Sequence, residues 1–217
     1  MIQRVVVGCF VVLALSALGD VADAEPRTFN VNYTSRATFK TEAPLETIVG
    51  TAAGQGAITG SVVVDPALPQ DVKGTVRVDL NALKTGIDRR DAQMRSKEFL
   101  DSEGNETNRW AVFEIKGVEI AGPLELDKAM PAKVRGTLTI RGKPIETVAD
   151  CVINYVRLTP EQVESQKRFG LTAENLRVTA KFATTFTNHG MQVPQVLIFK
   201  VSNDISLEAD LVLVLAQ

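Results

Sequence analysis

The 217-residue chain carries 24 basic and 26 acidic side chains, a single histidine and two cysteines. Near-neutral charge without a basic block argues against nucleic acid or anionic lipid as the main partner. One histidine excludes a multi-histidine zinc site and leaves His189 as the sole base open to any Ser-His-Asp or Cys-His arrangement. No Gly-x-Ser-x-Gly elbow accompanies it, and the glycines at 50, 54 and 56 lack the lysine and following helix of a phosphate-cradling loop.

The chain opens with Arg4, an apolar run over 5–18 and small residues around Ala22 and Ala24. Those are the parts of a cleavable secretion signal, with cleavage expected after Ala24. The run is shorter than the roughly 20 residues that cross a bilayer. Residues 25–217 are expected to form a single domain, with no membrane span once the signal is removed. Losing Arg4, Asp20 and Asp23 leaves 23 basic against 24 acidic residues, and Cys151 as the only cysteine. No disulfide can then form within the chain, so stability must come from burial.

Period-two alternation predicts strands over 28–40, 56–65 and 72–80. In the last of these Val72, Val76, Val78 and Leu80 face one way and Lys73, Thr75, Arg77 and Asp79 the other. Residues 88–101 lack β-branched side chains and read as a helix with Asp88 as N-cap. Its carboxylates Asp88, Asp91, Glu98, Asp101 and Glu103 are interleaved with Arg89, Arg90, Arg95 and Lys97, the pattern of a solvated, salt-bridged face. Strands resume at 110–120, at 132–141, where Val134, Leu138 and Ile140 share a face, and at 145–157.

Thr-Pro-Glu at 159–161 opens a helical turn over 159–167. A strand follows at 176–186, and the final run places Ile205, Leu207, Ala209, Leu211, Leu213 and Leu215 on one face. Between them, 189–202 is too apolar for a solvated loop and is expected to pack on the rest or across its mouth. His189, beside Asn188 and Gly190, reads as turn chemistry with a structural or surface role. Cys151 reads as a buried small hydrophobe. Isolated glycines at 60, 74, 117 and 136 mark bulges or bends.

Eight half-buried strands belong to an all-β, antiparallel architecture. The expectation is a lipocalin-like closed barrel with one short helix, and a stacked sandwich is the alternative. If the apolar faces point inward, Phe29, Val31, Val76, Val78, Phe113, Leu138, Ile140, Ile153, Val178, Phe182, Leu207 and Leu211 converge on one axis. They form either an ordinary packed core or a tube for an elongated apolar ligand. No catalytic set, metal site or cofactor follows from these residues.

The run Val78-Asp79-Leu80-Asn81-Ala82-Leu83-Lys84-Thr85-Gly86, with Arg90, Asp91, Met94, Arg95, Ser96, Glu98, Phe99 and Leu100 after it, resembles the strand-to-helix signature of the YceI family. Gly136-Thr137-Leu138-Thr139-Ile140-Arg141-Gly142 is similar to the strand before its next hairpin, and Phe186 and Gly190 ahead of the final strand match more loosely. The resemblance implies a periplasmic, non-enzymatic, eight-stranded barrel that holds an isoprenoid-type lipid, a polyprenyl chain or quinone. Gln93 departs from the histidine usual in that helix, 106–109 departs from the usual Tyr-Pro, and the apolar 193–199 segment is longer than usual. Two other readings stay open: a module that docks an envelope partner through 193–199, and an enzyme acting on a small apolar substrate through His189 or a helix carboxylate. The reading also leaves room for a homodimer.

Overall fold

A computed structural model describes residues 25–196 and 199–217; the expected secretion signal at 1–24 lies outside them. In chain order the elements are β1 (Arg27–Val31), β2 (Arg36–Ala43), β3 (Glu46–Ala53), β4 (Ile58–Val64), β5 (Lys73–Asp79), α1 (Asp88–Arg95), β6 (Trp110–Ile120), β7 (Ala129–Ile140), β8 (Lys143–Arg157), α2 (Pro160–Gln166), β9 (Glu174–Thr185), β10 (Gln195–Val196), β11 (Phe199–Lys200) and β12 (Asp204–Leu215). Among the described residues no helix is long and apolar enough to cross a membrane.

Ten strands form one antiparallel sheet in the order β1-β4-β5-β6-β7-β8-β9-β12-β2-β3, and β1 also pairs with β12. That last pairing closes an eight-stranded barrel and abolishes its edges. The two extra strands, β2 and β3, are a hairpin laid on the other half of β12. Leu213 and Leu215 face Val31 and Phe29 on β1, whereas Ser206 to Asp210 face Lys40 to Arg36 on β2. The free edge of β3 meets the chain after β5 through Thr51 and Lys84, which exchange backbone hydrogen bonds of 2.9 and 3.0 Å.

Local chemistry places the turns. The β7–β8 hairpin closes on Arg141 and Gly142, both at positive φ, as a two-residue turn matched to strand twist requires. The expected bend at Gly117 is a bulge, where the β6–β7 register slips between Ile115 and Gly117. Thr159 caps α2 through a capping box with Gln162.

Several expectations need correction. Residues 28–40 make two strands, not one, because Asn32 turns the chain: its side chain accepts from the backbone N and hydroxyl of Thr34. The strand β3 has no counterpart among the eight read from the sequence. The helix ends at Arg95, and Ile87 rather than Asp88 occupies the N-cap position, with no side-chain cap. Beyond Ser96 the backbone doubles back, with Leu100 N donating to Met94 O and Asp101 N to Ser96 O. Asp91 belongs to no solvated face: it is 1% exposed and accepts from the backbone N and hydroxyl of Thr85 at 2.9 and 2.6 Å.

Candidate functional site: an apolar tunnel along the barrel

Inward alternation on eight strands does not fill the barrel. A cavity of about 320 Å³ runs along it, from Pro69, Val72 and Leu124 at one end to Arg90, Gln93, Met94, Met191, Pro194 and Gln195 at the other. Between these ends the wall is almost wholly apolar. Ten of the twelve residues expected to converge do line it: Val76, Val78, Phe113, Leu138, Ile140, Ile153, Val178, Phe182, Leu207 and Leu211.

Phe29 and Val31 do not line it. Their short strand lies between β4 and the last residues of β12, and they pack in the core beside the cavity, opposite Val62 and Leu213, which do line it. Phe29 is fully buried there. On β8 and β9 the next inward positions past the lining are Tyr155 and Glu174, and the wall turns polar. The Tyr155 hydroxyl donates to Glu174 at 2.7 Å, Arg157 donates at 3.3 Å, and Arg27 forms an ion pair with the same carboxylate. Burial raises the Glu174 pKa, but the bonds from Tyr155 and Arg27 outweigh it and hold the carboxyl below its ordinary range. This cluster stoppers one end of the barrel.

The opposite end is a mouth. Arg90 and the exposed Gln93 project from α1, and the segment after β9 supplies Met191, Pro194 and Gln195. The Arg90 guanidinium is held by the Thr85 hydroxyl at 3.1 Å and Glu46 at 3.0 Å, which ties the helix to the tip of the β2–β3 hairpin. Phe99 and Phe186 meet at 5.4 Å and brace the helix-side loop against the turn after β9. The 193–199 segment, read as a docking stretch, is described only in part; residues 197 and 198 lie outside the described residues.

His189 is a strut and does not line the cavity. It is 1% exposed, so the surface alternative is wrong. Its Nδ1 lies 3.3 Å from the Lys143 carbonyl, which can only accept, so Nδ1 carries the proton and Nε2 accepts from the Thr184 hydroxyl at 2.8 Å. Burial depresses its pKa, opposed by the carbonyls of Lys143 and Ile140. Cys151 lines the cavity at 5% exposure, and burial pushes its thiol up to about 11, so it presents an un-ionised apolar face.

Sequence reasoning missed further lining residues, among them Phe39, which lies inside the expected 28–40 strand, Ile48 of the unread strand β3, and Met94, Phe99 and Met191 at the mouth. The alternation of Ala37, Phe39 and Thr41 was a usable signal for the first. Among the described residues no cluster of three or more His, Cys, Asp or Glu side chains could hold a metal ion.

A family model described as a YceI-like domain matches residues 29–213. No curated protein matches significantly. Among solved structures, a polyisoprenoid binding domain from Saccharophagus degradans, implicated in plant cell wall breakdown, is similar with a TM-score of 0.61 at 14% identity, covering 88% of this chain and 100% of its own. BcnA of Burkholderia cenocepacia gives 0.59 at 15% identity over 82% and 95%. The Campylobacter jejuni YCEI protein gives 0.56 at 18% over 77% and 84%. At these identities the likeness speaks for the fold.

Proposed function

Because the chain belongs to the YceI-like domain family, we propose that it is an exported binding protein that holds an isoprenoid-type apolar chain, polyprenyl or quinone, in its barrel for storage or transfer. The tunnel carries this reading. Its wall is apolar from Val72 to Phe186, a polar cluster around Glu174 lies past one end, and its polar lining groups gather mainly at the mouth. Each CH₂ group moved from water into such a wall gains about 0.8 kcal/mol, so a few isoprene units bind usefully without any contact to a headgroup. The twelve expected ligand contacts reduce in this proposal to the ten that line the cavity.

Binding is favoured over catalysis. Of the titratable groups on the wall, Arg90 and Glu208 are committed to Glu46 and Lys181, and Cys151 is a buried thiol held neutral. The imidazole of His189 is occupied on both nitrogens. Export through residues 1–24, and with it a periplasmic address, is part of the proposal.

Solvent extraction and mass spectrometry of protein purified from its own host test it. The expected result is one apolar, isoprenoid-containing molecule per chain; consistently ligand-free protein overturns the reading.

A further inference from the structure

In the mouth-side half of the tunnel the wall carries a belt of large side chains. Leu207 on β12 stands directly opposite Phe39 on β2 and Phe182 on β9. Phe182 in turn meets Phe113 at 5.6 Å between ring centroids, tilted by 52°. Phe113 belongs to β6, with β7 and β8 lying between it and β9, so this contact spans two intervening strands on the lumen side of the wall. Four side chains therefore girdle the bore at one level.

Both ends of the belt rest on glycine. Phe39 is cross-strand from Gly50, and a β-carbon built at position 50 would lie 2.2 Å from Phe39 Cε1 and 2.8 Å from Cζ. One built at position 136 would lie 2.5 Å from both Cε1 and Cζ of Phe113. Each ring thus occupies the space that a side chain at the glycine would need. We infer that this belt is the width gauge of the tunnel: Gly50 and Gly136 seat Phe39 and Phe113 against the wall, and so admit a methyl-branched chain that a side chain at either position would exclude.

A β-carbon at position 50 forces the Phe39 ring back by at least 1.2 Å, from 2.2 Å to the 3.4 Å of ordinary contact. The wall lies behind the ring, so it moves into the lumen. A straight acyl chain slips past such a narrowing more easily than an isoprenoid, whose methyl branches set its girth. Position 50 is the cleaner site, because a β-carbon at 136 would also strike the Glu114 carbonyl at 2.6 Å, whereas at 50 the three nearest atoms all belong to one side chain.

This inference rests on the lipid-binding reading, and its test separates the two. Geranylgeraniol and octadecanol compete with a fluorescent apolar probe in wild-type protein and in Gly50→Ala. The variant should bind geranylgeraniol about tenfold more weakly, the lower end of what one misplaced methyl group costs in an apolar pocket, and octadecanol within about twofold. Phe39→Leu in the same chain should restore the loss. Unchanged affinities, an equal loss of both alcohols, or no rescue overturn the gauge. Should Gly50→Ala fail to fold, Leu207→Phe thickens the same belt without touching a glycine and must give the same signature. Wild-type protein that binds neither alcohol overturns the lipid reading. The gauge is then judged on the crystal structure of Gly50→Ala: a Phe39 ring lifted into the lumen supports it, and a ring still in its wild-type place overturns it.

Discussion

Two side chains couple the barrel's ends to pH with the same sign. His189 is neutral in its buried socket, and its pKa is depressed on folding. The unfolded chain therefore binds the proton more readily, so this contribution is complete above the ordinary histidine value of about 6.5 and is lost as pH falls through the folded one. Glu174 is also depressed, so its contribution is complete above the unfolded value of about 4.3 and is lost as pH falls further. Thermal melts across pH 7.5 to 3 should thus show two successive losses. Glu174→Gln should reduce the lower one, to which the likewise depressed Asp91 and Asp210 also contribute, and cost about 1–3 kcal/mol at neutral pH by stripping Tyr155 and Arg27 of their charged acceptor; an unaltered profile below pH 4.5 would count against the stopper.

Elements of the barrel differ in how plainly the sequence announces them. Strands β7 and β12 alternate cleanly, because one face of each is solvated. The strand β3, with sequence ETIVGTAA, hides its inner face behind Gly50 and Ala52, residues small enough to make room for Phe39, so no apolar period survives to be read. Helix composition continues past Arg95, yet Phe99 and Leu100 are drawn into the mouth's packing and the backbone turns back with Asp101 at positive φ. Tertiary burial outweighs local propensity there. The tunnel residues were legible as an inward set, but whether that set packs shut or leaves a bore depends on ring seating across strands, which a single sequence does not display. At the β4–β5 crossing Gly60 has φ 138° and a β-carbon would meet the Thr75 carbonyl oxygen at 2.0 Å. Gly60→Ala should cost at least about 1–3 kcal/mol in denaturant unfolding; a neutral result would mean that this crossing tolerates a wider strand separation.

On the scale of the whole molecule, stability and occupancy are linked. With no disulfide among the described residues, a ligand confined to the folded barrel adds its binding energy to folding. At a hundredfold excess over Kd that is about 2.7 kcal/mol, or roughly 5–10 °C in Tm for a barrel of this size. Differential scanning calorimetry with polyprenyl alcohol should show the rise, and a delipidated sample should fall by the same amount. An unmoved Tm at saturating ligand would place the alcohol outside the barrel.

The double duty of β12 has a temporal side. Strands β1 and β2 each have one neighbour close in sequence, β4 and β3, but find their other neighbour only at 206–215, and the closing seam and the Leu207 part of the belt wait on that pairing. Contacts of such long range make barrel closure slow and late in folding. Until the last strand arrives the sheet is an open ribbon, and the lumen comes into being only once that strand is in place.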